Sequence, residues 1–383
     1  MQKNSSLSYI EISKGNLIHN IKQFRSLIGS DTRLACVVKA NAYGHGDSIV
    51  VKILNSYVDY FQVNSIEELD RVRKVTKKEV LVLGYVGKND IEKALMLKGT
   101  LGVFDLEHAL LVNQIARKLD KKVKVHLAVD SHLGREGVMP ETLDMMLPEI
   151  LKMKNIIVDG VYSHFANIED TNDFSHAQKQ IDTYADSMKI FEKHGIINIK
   201  KHISATSGVL AYEAKKNKKD QSAGIVRVGI GSYGMWPSVE LEDQWKNKIE
   251  LKPALKWVTH IAQVKKLPKG HTIGYGLAYV TKRPMSVAII PQGYSDGLTR
   301  SITNRGHVLI GGQIVPLLGR VAMNMVVADV SVLPEVASGD EVVFIGRQGG
   351  IEIKAEDLAR EMDTINYEVT THISALLPRK IGD

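Results

Sequence analysis

Between Leu34 and Val228 the chain repeats one pattern, a short apolar and largely β-branched run followed by a stretch whose apolar residues fall at helical spacing. Strands are predicted near Leu34 to Lys39, Tyr60 to Val63, Val80 to Leu83, Leu101 to Phe104, Val123 to Val129, Ile157 to Ser163, Ile199 to Ser204 and Ile225 to Val228. Helices fill the intervals, for example Ser65 to Val75, with its Ser-x-Glu-Glu start, and Leu106 to Leu119. Strand and helix in alternation imply parallel strands joined by helical crossovers. Eight such units point to an α/β fold of the (β/α)8 TIM-barrel type, with a doubly wound open sheet as the alternative.

The flanks read differently. Tyr9 to Ile12 is a short alternating strand, Ser13 a candidate N-cap, and Leu17, Ile21, Phe24 and Ile28 mark a helix that Gly29 ends. Past Trp236-Pro237 come strands with turn signals: Lys256 to Leu267, a Pro268-Lys269-Gly270 turn, Met285 to Pro291, His307 to Ile310, a Gly311-Gly312 hairpin and Gln313 to Leu318. Val321 to Val330 and Glu341 to Ile345 follow, then a helix near Ala355 to Met362 and a last strand from Tyr367. The expected division is a barrel domain over 1–240 and a mainly β domain over 241–383, with the first short strand able to join the second.

A chain of 383 residues has length for two such domains. Its net charge of +7 is a mild surplus, and the Lys215-Lys216-Asn217-Lys218-Lys219 run reads as a solvated loop. No basic stripe interleaved with aromatics argues for nucleic acid. The single cysteine, Cys36, cannot form an internal disulfide and reads as a core residue of a reducing compartment. No apolar run is long enough to span a membrane, and Met1 to Ser8 lacks a signal-peptide core, so a cytoplasmic location is expected.

The polar residues of the barrel pattern fall at the carboxyl ends of its strands. Lys39 follows the first and Arg135 the fifth, in the loop Asp130-Ser131-His132-Leu133-Gly134-Arg135. His164 follows the sixth, Thr206 and Ser207 the seventh, and Arg227 with Gly229 and Gly231 the eighth. Barrel active sites are assembled at that end, with phosphate often held after strands seven and eight. Lys39 stands out, because burial at a strand end disfavours its charge and leaves an available amine; a lysine there can equally snorkel to solvent. Ala40, Ala42, Gly44 and Gly46 leave room for a large ligand beside it.

The string Val38-Lys39-Ala40-Asn41-Ala42-Tyr43-Gly44-His45-Gly46 resembles the cofactor-lysine motif of alanine racemases, which use pyridoxal phosphate (PLP) on a barrel plus a β domain. The resemblance extends through separated motifs along the whole chain. It implies that Lys39 holds PLP covalently and that Tyr43, Tyr367, Gly229, Ile230 and either Thr206 or Ser207 hold its phosphate. Arg227 would face the pyridine nitrogen and His164 would pack on the ring. Arg135 and the Met323 backbone would fix the substrate carboxylate, and Tyr294 would line the entrance. Tyr275, in Ile273-Gly274-Tyr275-Gly276, would be the second base, reaching the opposite face of Cα from the partner subunit of a homodimer. No metal is implied.

The chain also departs from the family pattern. Ala128 stands where many members carry a lysine, often carbamylated, that orients the arginine matched by Arg135. Asn324 replaces a usual aspartate. The expected activity is interconversion of L- and D-alanine, supplying D-alanine for cell-wall peptidoglycan, with a serine or broad-specificity racemase as the nearest alternative. A non-catalytic PLP-binding protein would lack residues 241–383, and a related basic-amino-acid decarboxylase would need a cysteine in its second domain.

Overall fold

The computed structural model describes residues 6–215 and 224–382. The expected lysine-rich loop, at Lys216 to Lys219, lies outside the described residues. The chain divides into two compact units. One comprises Leu17–Ala42 and Val50–Lys252; the other comprises the residues up to Asn16, Tyr43–Ile49 and the chain from Pro253 onward.

Strands are numbered along the chain, β1 being Tyr9–Ser13. The first unit carries β2 (Arg33–Val37), β3 (Tyr60–Val63), β4 (Glu79–Val82), β5 (Thr100–Val103), β6 (Val123–Ala128), β7 (Ile156–Tyr162), β8 (Lys200–His202) and β9 (Ile225–Val228). They form one eight-stranded sheet in the order β8-β7-β6-β5-β4-β3-β2-β9, every pair parallel. Isolated parallel bridges, Lys201 to Gly224 and Ala205 to Arg227, join its two ends, so the sheet closes as a barrel. Most strand positions are apolar because helices cover the outside and side chains fill the inside, whereas β8 is the polar run Lys200-Lys201-His202. Ala35, Tyr60, Leu81, Leu83, Ala128, Tyr162 and Ile225 form one such interior layer. Each large apolar side chain fully buried there contributes about 1.5–3 kcal/mol.

The second unit holds β10 (Leu255–His260), β11 (Gln263–Leu267), β12 (Thr272–Ile273), β13 (Tyr279–Val280), β14 (Met285–Ile290), β15 (His307–Ile310), β16 (Gln313–Leu318), β17 (Val326–Asp329), β18 (Glu341–Gln348), β19 (Ile351–Ile353) and β20 (Arg379–Gly382). Its main sheet runs β11-β14-β17-β16-β15-β18-β10-β1-β20, with β19 paired to β18 and β12–β13 as a separate hairpin. β1 pairs with β10 and β20. The Gly311-Gly312 turn between β15 and β16 has φ of 59° and 74°, the left-handed pair that a two-residue hairpin of this type needs.

Three expectations need correction. The segment from Lys256 to Leu267 is two strands, broken at Ile261 and Ala262, because β10 pairs with β1 and β18 whereas β11 pairs with β14. The last strand does not start at Tyr367; Asn366–His372 is a helix, and the final strand is β20. The β-branched run Val369-Thr370-Thr371 suggested a strand, yet Thr370 and Thr371 turn their hydroxyls back to the carbonyls of Asn366 and Tyr367, at 3.3 and 2.8 Å. Gly44 packs against this helix so closely that a Cβ there would lie 1.9 Å from the Thr370 carbonyl oxygen. The space expected for a ligand at Gly44 is therefore filled by protein backbone.

Candidate active site

β2 ends at Val37, and the chain then makes a left-handed turn in which Ala40, Asn41 and Ala42 have φ of 51°, 54° and 53°. Left-handed backbone costs roughly 1–2 kcal/mol per non-glycine residue, so the surroundings must hold it. Glu68 does part of this. It closes the expected capping box of the helix Ile66–Arg73 with Ser65, and its Oε1 also accepts the Ala40 N–H at 2.7 Å. Lys39 thereby leaves the strand at a set angle. It is open to solvent on one side, but enough protein crowds its ammonium for desolvation to lower its pKa first, followed by the like charges of Arg135 and Arg227; Glu68 and Glu136 oppose the shift.

Arg227, on β9, is 4% exposed. Its Nη1 donates to His202 Nδ1 at 2.5 Å and to the His202 carbonyl at 3.0 Å; its Nη2 donates to the Ser163 carbonyl at 2.8 Å and to His164 Nδ1 at 3.1 Å. Burial brings its pKa down to about 10, and it remains a cation at neutral pH. Beside it His164 is neutral, its pKa pushed down to about 3 by burial and then by Arg227, Arg135 and Lys39.

After β8, Thr206 Oγ1 accepts the backbone N–H of Gly229 at 3.0 Å and of Gly231 at 3.4 Å. A Cβ on Gly231 would lie 2.4 Å from Phe24 Cζ and 2.8 Å from Thr206 Cγ2, so glycine alone brings this amide to the threonine. Ser207, the rival hydroxyl, donates instead to the Glu169 carboxylate, and Ile230 is buried. Two amides and a hydroxyl that converge at the carboxyl end of the last two barrel strands suit a phosphate.

Arg135 sits in the loop after β6 and forms a two-point ion pair with the adjacent Glu136, through Nε to Oε2 and through Nη2 to Oε1 at 3.0 Å. Ala128, at the end of β6, is 1% exposed and packs beside Tyr162 and Leu83.

The remaining candidates belong to the second unit. Tyr43 and Tyr367 lie ring to ring, 6.1 Å between centroids. Tyr275 is 71% exposed at the tip of the β12–β13 hairpin, between Gly274 and Gly276 with φ of 76° and 65°. The Met323 carbonyl accepts both the N–H of Ser295 at 3.0 Å and its hydroxyl at 2.9 Å, while the Met323 N–H has no hydrogen bond among the described residues. Tyr294 is exposed in the same loop, and Asn324 donates to Ser295 Oγ at 2.7 Å.

Sequence reasoning missed Glu136, Glu68 in its second role, and His202 as a partner of Arg227. An acidic residue directly after a candidate arginine, in a loop otherwise rich in small residues, was a signal for the first.

The domain model described as alanine racemase, N-terminal domain, matches residues 12–237, and that of the C-terminal domain matches residues 254–381. Alanine racemase 2 of Caldanaerobacter subterraneus subsp. tengcongensis is 36% identical over 374 residues, covering 97% of this chain and 93% of the relative. The alanine racemase of Clostridium difficile 630 superposes with a TM-score of 0.91 at 32% identity, over 98% of this chain and 96% of that one. The enzyme from Bacillus anthracis, solved with bound L-Ala-P, gives a TM-score of 0.91 at 30% identity, over 100% and 96%. With both domain models matched in order and relatives similar over nearly their full length, the chain belongs to the alanine racemase family.

Proposed function

We propose that this enzyme interconverts L- and D-alanine by a two-base mechanism, with PLP held on Lys39 and a site shared between the subunits of a homodimer. The observation that carries the reading is the amine of Lys39, its charge disfavoured, at the barrel's carboxyl end with Arg227, His164 and Arg135 around it. The residues suit PLP. The Thr206 hydroxyl with the Gly229 and Gly231 amides beside it, at the carboxyl ends of β8 and β9, fits a phosphate, and we assign it that role with Ile230, Tyr43 and Tyr367. Arg227 would face the pyridine nitrogen and His164 the ring.

When bound, PLP supplies a conjugated ring over which the electron pair of the Cα–H bond can spread. Arg227, with a pKa of about 10, does not readily release a proton to a pyridine nitrogen, which keeps that ring a weak electron sink. That suits an enzyme whose task is to move one α-proton and nothing else. The Lys39 amine takes or gives this proton on one face of Cα, and the phenol of the partner subunit's Tyr275 does so on the other. One base removes a proton as the other delivers one, so a turnover leaves no net proton change. The Arg135 guanidinium and the unbonded Met323 N–H would hold the substrate carboxylate, with Tyr294 at the entrance.

The exposed Tyr275, Leu277 and Val280 of the β12–β13 hairpin region, and the exposed Met323, support a second copy of the chain as their partner. Among the described residues no helix is long and apolar enough to cross a membrane. Cys36 is buried, and burial pushes its thiol up to about 12, in keeping with a structural residue of a reducing cytoplasm, where D-alanine would supply peptidoglycan. A serine or broader substrate range is the second reading, favoured by the neutral Asn324 amide on Ser295. Purified protein, PLP and chiral analysis over an amino-acid panel test the proposal. Racemisation of alanine is expected; PLP binding without racemisation of any amino acid would favour a non-catalytic carrier.

A further inference from the structure

We propose that Glu136 is a positioning residue, whose carboxylate grips one edge of the Arg135 guanidinium so that the other edge is presented to the substrate carboxylate. The inference rests on the racemase reading, in which Arg135 meets that carboxylate.

The loop backbone is fixed. Asp130 Oδ1 accepts the N–H groups of Leu133 and Gly134 at 2.9 and 3.1 Å. Val138 returns to the strand end, its N–H to the Ala128 carbonyl at 3.2 Å and its carbonyl to the Asp130 N–H at 3.0 Å. Gly137, with φ of 107°, lies so close to this strand that a Cβ would come within 2.9 Å of the Ala128 and Val129 carbonyl carbons.

The side chain of Arg135 is not fixed by packing, being 60% exposed. A long cation in water loses several rotatable bonds' worth of freedom when it binds one ligand atom pair in one orientation. Glu136 takes its Nε and Nη2, and among the described residues it is the acceptor that holds the guanidinium. Nη1 has no bond there, so one edge of the fork stays open for a second carboxylate. β6 offers no acid for this purpose, since Ala128 presents a methyl group into a layer filled by Tyr162 and Leu83. The chain places its carboxylate one residue beyond the arginine instead.

Glu136 also faces the site. Lys39, Tyr162, His164 and Arg227 all feel its charge. Partial burial works against that charge, and the hydrogen bond and charge of Arg135 outweigh it, keeping the carboxyl below its ordinary range and ionised at neutral pH.

The test compares wild type with Glu136→Gln, Glu136→Leu and Glu136→Asp, all loaded with PLP, by steady-state kinetics in both directions and by calorimetric binding of propionate, an alanine without its amine. Glu136→Gln should raise KM and the propionate Kd together by roughly tenfold while kcat changes little, because a charge-assisted clamp is lost without loss of either base. Glu136→Leu should do worse, and Glu136→Asp should recover much of the loss. In an Arg135→Gln background Glu136→Gln should add nothing, since it acts only through that arginine. Unchanged propionate affinity in the Gln variant, or an undiminished effect in the Arg135→Gln background, would overturn the proposal. A wild type with no racemase activity would instead defeat the earlier reading, and propionate affinity would still judge the clamp.

Discussion

His202 Nδ1 lies 2.5 Å from Nη1 of Arg227, and because a guanidinium carries donors alone, the histidine must accept there and keep its proton on Nε2. That proton points to His126 Nδ1 at 2.7 Å, and His126 Nε2 faces Asp159 Oδ2 at 3.5 Å. The tautomers of both His202 and His126 follow from the first contact. Both histidines are neutral, so neither adds a positive charge against Arg227.

A pH dependence of stability follows. Burial lowers the pKa of His202 and His126, and that of His164 to about 3, each below the unfolded value near 6.5. Below that value the unfolded chain binds protons that the folded chain does not. The stability present above pH 6.5 is lost as pH falls, by up to about 1.4 kcal/mol per pH unit for each histidine. Denaturant unfolding of the PLP-free protein between pH 7.5 and 5 (roughly the span in which histidine titrates) should show this slope, and His126→Gln should reduce it by one histidine's share. An unchanged slope would mean His126 is already charged in the folded chain.

PLP should be attached at Lys39. Borohydride reduction followed by peptide mapping should leave a pyridoxyl label on the peptide containing Lys39. A label on another lysine would overturn the assignment.

Alanine should be preferred over serine, because Tyr367 and Met323 are expected to leave little space beyond a methyl group. An added hydroxyl is a weak discriminator in an apolar pocket, about a hundredfold or less, so slow serine turnover is compatible. Competing the two amino acids and measuring kcat/KM decides it; equal or faster serine turnover would point to Asn324 as the residue that widened the range.

The two bases should come from different chains. Lys39→Ala should be inactive, and Tyr275→Phe should lose racemisation while Lys39 still exchanges the α-proton of the D-enantiomer with solvent. When the two variants are dissociated and reassembled at random, half the dimers are mixed and each mixed dimer has one intact site, which gives roughly a quarter of wild-type activity. A mixture as inactive as its parents, despite proven subunit exchange, would place both bases in one chain.

The eight barrel strands could be read from the sequence because each is a local pattern, an apolar run followed by helical spacing, and β2 to β9 lie within a few residues of expectation. Lys39 was visible for a related reason: a charge ends a segment that is otherwise apolar. The capping box of Ser65 and Glu68 was likewise written within four residues. Helix Asn366–His372 was misread because β-branched residues favour strands on average, and the hydroxyl bonds to the preceding turn become visible only in the folded chain.

What tertiary structure alone decided is which residue each polar group meets. His126 and His202 are 76 positions apart and touch because β6, β7 and β8 are neighbours, with Gly160 of β7 leaving the room: a Cβ there would lie 2.6 Å from the His126 ring. Glu136 and Arg135 are adjacent in sequence, yet their pairing depends on the left-handed turns of the loop and on two rotamers, neither of which a residue string encodes by itself. Periodicity specified the elements because it is repeated every few residues and tolerates local error. Hydrogen-bond partnership is a single short-range geometry, decided by strand register, and appears only once the barrel has closed.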